Sequence, residues 1–298
     1  MKTITVYQYD AFSTEPGKGN PAGVVLRSEG LTDSDMKEIA AKAGYNETAF
    51  LLDSNQADLR IRFFTPGYET DLCGHATMAT IFALASRGAL DGKELLTIET
   101  KAGILPIKVT WTEDDEWSIT MKQATPKFID FEGSKEELMH LIGLKESDLD
   151  PTLPIQYGST GSWTLLVPVK HLSKFQEMKP DNHRFPEVLK EVPKASVHPF
   201  CLETHDPAAD MHGRHFSSPY SGTVEDAVTG TASAVMGAYY AKYINPGSSD
   251  QDLLVEQGQE IGKDGRVAVH VLKDQRSFDV QITGKAVYVK ELQISFPD

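Results

Sequence analysis

The sequence predicts an α+β fold of two pseudo-symmetric lobes, each a rolled, barrel-like β-sheet around one central helix. Three observations carry this. From Ala76 to Ala85 there is neither a charge nor a helix breaker, so a helix there is apolar on nearly every face and must be buried. The stretch Glu225 to Tyr240 is again dominated by small and apolar residues, and each stretch is introduced by a Pro loop, Thr65-Pro66-Gly67 and Ser218-Pro219-Tyr220. One such segment in each half indicates an internal duplication. Around both lie short, evenly spaced strands with turn signals, the pattern of rolled sheets rather than of a parallel βαβ sheet.

In order, Thr3 to Val6 alternates as a strand, and Gly17 to Gly23 reads as a glycine-rich loop before a return strand at Val24-Val25-Leu26. Thr32 with Asp35 caps a helix whose apolar face is Met36, Ile39, Ala40 and Ala43, and Gly44 ends it. Glu47 follows at the mouth of the apolar strand Thr48 to Leu52. Leu59, Ile61 and Phe63 alternate with Arg60 and Arg62, which makes a hairpin with one wet face. Strands at Leu95 to Glu99, Ile104 to Trp111 and Trp117 to Lys122 complete the first unit.

The boundary is expected at Ala124-Thr125-Pro126. That gives a first lobe of 1–124, completed by the last strand at about 285–298, a second lobe of 125–284, and an active site in the cleft between them. The second lobe opens with a helix capped by Ser134 with Glu137 as a capping box. Strands are expected at Ser162 to Val169, Ser196 to Thr204 and His212 to Phe216, with short helices near Leu172 to Met178 and Pro186 to Glu191. Leu253 to Val255, Val267 to Val271, Phe278 to Ile282 and Val287 to Val289 alternate as further strands.

Composition narrows the function classes. With 298 residues, 40% hydrophobic and 24% charged, this is an ordinary globular chain with room for a large core. A formal charge of −14 argues against a nucleic-acid or anionic-membrane surface, so neither is an expected partner. The N-terminus does not read as a signal peptide and no apolar run reaches membrane-spanning length, which together make the expected location cytoplasmic. Two cysteines, Cys73 and Cys201, make no disulfide framework. The nine histidines show no short pairing with Cys or carboxylates that suggests a metal site, and His198, His205, His212 and His215 read as surface or loop residues. No glycine pattern matches a nucleotide loop and no nucleophile elbow is present. Metal and nucleotide readings are therefore poor.

An anionic ligand must then be held locally. The helix starts at Gly74 and Gly230 offer unpaired backbone N–H groups suited to a carboxylate or an enolate-like oxyanion. Glu47, desolvated at an apolar strand mouth, would have its pKa raised toward neutrality, where a proton can be taken and returned. Against these stand bland readings: a solvated turn for Glu47, a dipole-complementing pair for Glu225 and Asp226, a capping role for His75 and an apolar filler for Cys73. Asn20, Tyr68, Tyr157 and Arg214 are further cleft candidates without an assigned place.

Several blocks resemble the phenazine-biosynthesis PhzF-like isomerases. These are Gly19-Asn20-Pro21-Ala22-Gly23-Val24-Val25, Asn46-Glu47-Thr48-Ala49-Phe50, and Phe64-Thr65-Pro66 through Asp71-Leu72-Cys73-Gly74-His75-Ala76-Thr77. They continue with Glu225-Asp226-Ala227-Val228-Thr229-Gly230-Thr231-Ala232 and Glu256-Gln257-Gly258, in the family's order over most of the chain. The resemblance implies a diaminopimelate-epimerase-like fold. It implies Glu47 as the catalytic glutamate, His75 and Asp226 as its substrate-binding and proton-relay partners, and Gly74 and Gly230 as backbone donors. Asn20, Cys73 and Thr231 complete the expected substrate contacts. Asn46 and Thr231 stand where the family commonly has serines, keeping hydrogen-bonding capacity with a change of size.

Related epimerases place one cysteine at each helix start; here Cys73 matches the first and Thr229 stands at the second. A threonine hydroxyl is far too weak an acid to exchange a Cα proton as a thiol does, which argues against two-cysteine racemisation. The expectation is a cofactor-independent isomerase moving a proton on a small carboxylic acid. The alternatives are a single-base epimerase using Cys73 and a non-catalytic small-acid binder. A homodimer is expected from the general prevalence of twofold oligomers, with Val287 to Val289 as an edge that could pair across it.

Overall fold

Strand Lys2–Ala11 begins the computed structural model, which describes residues 1–274 and 277–297. Residue 298, the end of the expected closing strand, lies outside the described residues. Backbone contacts group the chain into two units, Met1–Lys122 with Thr283–Asp298, and Gln123–Ile282. The fold class is the expected α+β, with few helices and many short strands.

In the first unit, Lys2–Ala11 pairs antiparallel with Ala286–Phe296 and, on its other side, with Asn20–Val25. Val287 to Val289 is therefore no open edge toward Lys2–Ala11: Val287 lies opposite Asp10 and Tyr288 opposite Tyr9. The glycine-rich stretch expected as one loop divides. Gly17 and Gly19 have φ of 89° and 65° and make the turn, whereas Asn20–Val25 is a strand. Gly23 serves packing rather than turning, since a Cβ there would meet Thr48 Oγ1 at 2.7 Å and the Tyr45 ring at 3.0 Å. This bare backbone lets Asn20–Val25 run parallel to Thr48–Leu52 with Gly23 opposite Thr48.

The helix Asp33–Ala43 has both hydrogen bonds of the Thr32/Asp35 capping box and ends at Gly44, whose φ is 76°. Its buried Met36, Ile39 and Ala40 pack with Val6, Val25, Phe50, Phe64, Ile294 and Phe296. Helix Gly74–Ala85 is the centre of this unit, wrapped by Lys2–Ala11, Asn20–Val25, Thr48–Leu52, Trp117–Lys122 and Ala286–Phe296. Its residues Ala76 to Ile81 and Ala83 to Ala85 are all buried, as an apolar surface without a polar stripe requires.

In the second unit, helix Lys135–Leu141 has one half of the expected capping box: Ser134 accepts from the Glu137 N–H. Ser196–Cys201 is parallel to Trp163–Pro168 and stops short of Thr204. The strand expected over His212 to Phe216 is broken at Arg214 into Met211–Gly213 and His215–Phe216. Three short strands escape sequence reading here, Lys127–Asp130, Gln156–Ser159 and Glu225–Asp226. Helix Gly230–Tyr239, continued by a π turn over Tyr240–Ile244, is buried at nine positions from Gly230 to Tyr239 and packs on Gly265–Lys273 and Gln156–Ser159. No helix among the described residues is long and apolar enough to cross a membrane.

Candidate active site

Gly44 ends its helix in the left-handed region, and Glu47 stands immediately before the strand Thr48–Leu52. The Glu47 carbonyl accepts from Gly23 N–H at 3.2 Å, which fixes where the side chain starts, and that side chain is half-buried. Asn20 lies at the head of the same strand as Gly23 and is fully buried.

Helix Gly74–Ala85 brings the next groups. Cys73 is its N-cap in extended conformation and makes no side-chain cap bond, and the first turn carries no acidic residue. Its carbonyl takes both the Thr77 N–H at 3.0 Å and the Thr77 hydroxyl at 2.8 Å. The ring of His75 sits against the Cys73 sulfur, Nδ1 at 3.5 Å and Nε2 at 3.8 Å, while Nε2 is 3.4 Å from Glu47 Oε2. A carboxylate, an imidazole and a thiol, donor atoms all within 4.8 Å, thus meet at the start of a buried helix. This set can pass a proton, orient the carboxylate and, through the helix N-terminus, stabilise negative charge on a ligand. The same three donors have a composition that a soft divalent ion would accept. Tyr68 is exposed, and its backbone bonds to Thr65 in the turn before the helix.

The second unit repeats the construction. Thr229 is an extended N-cap, again without a cap bond to its helix, and Ser233 Oγ returns to the Thr229 carbonyl at 3.1 Å as Thr77 does to Cys73. Cys73-Gly74-His75-Ala76-Thr77 and Thr229-Gly230-Thr231-Ala232-Ser233 are therefore equivalent segments, with Thr231 in the place of His75. The Thr229 hydroxyl donates to Asp226 Oδ2 at 2.5 Å, so it is engaged in holding that carboxylate. Thr231 contributes its carbonyl to the Thr160 hydroxyl at 2.9 Å.

Asp226 is not in a helix-flanking turn but in a strand pair, opposite His215. Gln257 is a residue sequence reasoning passed over: its amide donates to the Asp226 carbonyl at 2.8 Å and its Oε1 accepts from Thr229 N–H at 3.2 Å. It clamps the segment from Asp226 to Thr229, between strand Glu225–Asp226 and the helix start, and only its place in the Glu256-Gln257-Gly258 block hinted at it.

Two cleft candidates turn out to be structural. Tyr157 is fully buried, its hydroxyl donating to Glu191 at 2.9 Å. Arg214 is buried and bidentate to Glu225, at 2.9 and 2.6 Å, with a further bond to the Phe175 carbonyl at 2.6 Å. The histidine expectation is also corrected: His205 is partly exposed, but His198, His212 and His215 are buried. His198 and His215 share an Nδ1–Nδ1 contact of 3.1 Å. Burial pushes His198 well below the ordinary imidazole range, helped by His215 and His212, and lowers His215 against the pull of Asp226.

A sequence model described as phenazine biosynthesis-like protein matches residues 9–292. The chain belongs to this PhzF family. This PhzF-family chain is 51% identical over 288 residues to the uncharacterised isomerase YfhB of Bacillus subtilis (strain 168), covering 97% of each. It is 59% identical to a Bacillus anthracis phenazine biosynthesis protein of the PhzF family whose crystal structure superposes with a TM-score of 0.97, over 99% of this chain and 100% of that one. It is also 31% identical over 260 residues to the trans-2,3-dihydro-3-hydroxyanthranilate isomerase of Pseudomonas aeruginosa, covering 87% of each. The PhzF-family chain is accordingly an isomerase.

Proposed function

We propose that this isomerase moves a proton on a small unsaturated carboxylic acid, with Glu47 as the general acid and base. The observation that carries the reading is the 3.4 Å approach of Glu47 Oε2 to His75 Nε2 at the start of a buried helix whose first turn has no acidic residue. A carboxylate oriented by an imidazole and half-shielded from water suits abstraction of a proton alpha or vinylogous to a carboxylate, and its return at another carbon. The N–H groups at Gly74 would hold the charge that develops. Asn20 and Cys73 complete the contacts proposed for the first unit. Asp226, Gly230 and Thr231 are the substrate and relay groups proposed for the second. No step is assigned to a metal or an organic cofactor, and cytoplasmic location and a homodimer belong to the same proposal. The name of the Pseudomonas relative suggests a dihydro-hydroxyanthranilate as the first substrate to try.

One alternative has its own support. Cys73 Sγ lies 3.5 Å from His75 Nδ1, so a thiol–imidazole pair could act as the base in a single-base epimerisation.

NMR in D2O with trans-2,3-dihydro-3-hydroxyanthranilate and a panel of small unsaturated and amino acids separates the readings. Deuterium entry that is lost in Glu47→Gln but kept in Cys73→Ala supports the isomerase with Glu47 as base. Loss in Cys73→Ala with retention in Glu47→Gln would move the chemistry to the thiol. Binding without exchange in wild type would make the chain a small-acid binder.

A further inference from the structure

A second cluster of chemistry-bearing side chains lies in the second unit, outside the residues assigned to proton transfer. The parallel pairing of Met211–Gly213 with Asp250–Gln257 sets His212 directly opposite Glu256. After Gly258, whose φ is 99°, a single tight turn over Gln259–Ile261 folds Glu260 back onto the same histidine. His212 Nδ1 is 2.9 Å from Glu256 Oε1, and its Nε2 is 3.0 Å from Glu260 Oε1. His205 enters from the loop before this strand, with Nε2 3.9 Å from the same Glu260 oxygen. Donor atoms of His205, His212 and Glu256 lie within 4.8 Å of one another.

The two carboxylates differ in how they are satisfied. Glu256 accepts the backbone N–H of His205 at 2.7 Å and of Asp206 at 3.0 Å, besides facing His212, and Arg266 stands 3.6 Å away. Glu260 has a side chain only 3% exposed, and its Oε2 is buried with no hydrogen-bond partner. A buried carboxylate oxygen without a partner is costly, and this one belongs to a carboxylate already facing two imidazoles.

We propose that His205, His212 and Glu260 form a binding site for a divalent ion of the zinc class, with Glu256 as the outer partner of His212. Two donors bound about 2.0 Å from one tetrahedral ion are about 3.3 Å apart. The Glu260–His212 and Glu260–His205 separations, 3.0 and 3.9 Å, bracket that value. The ion replaces the proton on His212 Nε2, which leaves to solvent. Glu256 then accepts the remaining Nδ1–H, the carboxylate–histidine–metal arrangement that fixes a ligand's tautomer. Glu260 Oε1, the oxygen that faces both imidazoles, binds the ion, and a bidentate tilt of the carboxylate would give Oε2 its missing partner. Two imidazoles and a carboxylate suit zinc, cobalt or nickel better than calcium or magnesium. His205, with a side chain 44% exposed, provides the access route and can swing the remaining few tenths of an ångström.

Cobalt titration of the chelator-treated full chain, followed by visible absorption, tests this. Expected is one Co²⁺ per chain, with the intense visible bands of a low-coordinate nitrogen and oxygen site and no sulfur-to-cobalt charge transfer. His205→Ala, a change at an exposed residue, should weaken uptake at least tenfold while leaving the metal-free melting curve in place; Glu260→Gln should do the same if it folds. Absence of stoichiometric uptake, or uptake indifferent to His205→Ala, overturns the proposal. A charge-transfer band abolished by Cys73→Ala would also overturn it, by putting the ion on the thiol cluster instead.

Discussion

His75 Nε2 lies 3.4 Å from Glu47 Oε2, so the imidazole reaches the carboxylate from the helix while the Gly23 N–H anchors the Glu47 backbone. If the pair acts as one unit, its losses are not additive. Glu47→Gln should slow deuterium exchange by about 10²- to 10⁴-fold, the span of general-base catalysis. His75→Gln should cost less, and the double substitution should be no slower than Glu47→Gln alone. Exchange rates by NMR check this; a double mutant slower by the product of the two factors would falsify the pairing.

Gly23 is pressed against Thr48, next to Glu47. A Cβ there would meet Thr48 Oγ1 at 2.7 Å and the Tyr45 ring at 3.0 Å, so the Thr48 side chain or the strand that carries it must give way. Gly23→Ala should destabilise by about 1–3 kcal/mol, the range for overpacking, and should lower turnover as well because Gly23 N–H anchors the Glu47 backbone. Urea unfolding together with exchange rates measures both. Unchanged stability would mean that the Thr48 and Tyr45 side chains make room at no cost.

Arg214 and Glu225 form a buried, bidentate pair with side chains 8% and 10% exposed. Arg214→Met strands the Glu225 charge and should cost about 3–5 kcal/mol. Adding Glu225→Gln removes the stranded charge and should recover a measurable part. Calorimetric melting of the single and double variants decides; no recovery would place the cost on the lost bond to the Phe175 carbonyl instead.

The His198–His215 pair sets a pH dependence. Burial lowers the pKa of both, with His215 and His212 adding to the effect at His198 and Asp226 opposing it at His215. The unfolded chain binds protons on these rings near pH 6.5, where the folded chain does not. Their contribution to stability is therefore full above about pH 6.5 and is lost as the pH falls below it. His198→Gln should flatten the fall of the urea midpoint between pH 7 and pH 5 relative to wild type, contributions common to both chains cancelling in the comparison. Equal slopes would show that His198 takes up its proton in the fold.

Much of this architecture was legible because its signals are local. The uncharged run through Ala76 to Ala85 can only be a buried helix, and Gly44 followed at once by Glu47 and an apolar strand marks where a carboxylate is half-shielded. The glycine-rich stretch misled because two jobs share one composition: Gly17 and Gly19 turn the chain, while Gly23 only makes room for Thr48. The buried histidines were out of reach for another reason. His212 meets Glu256, 44 residues onward, through a parallel ladder, and no spacing rule within one segment encodes such a pairing. Gln257 escaped likewise, since its value lies in two backbone groups of a loop far away in sequence.

The pairing of Lys2–Ala11 with Ala286–Phe296 also has a bearing on synthesis. The first strand leaves the ribosome with one flank uncovered, and its partner is made some 275 residues later. At about 5–20 residues per second that interval is roughly 15 to 60 s. During it, Asn20–Val25 can zip onto one side of the strand, while the other side stays a nascent edge exposed to stray pairing. The intervening unit has all of its own strands and core by then, so the later-made half is poised to fold first and the earlier-made half to be sealed last.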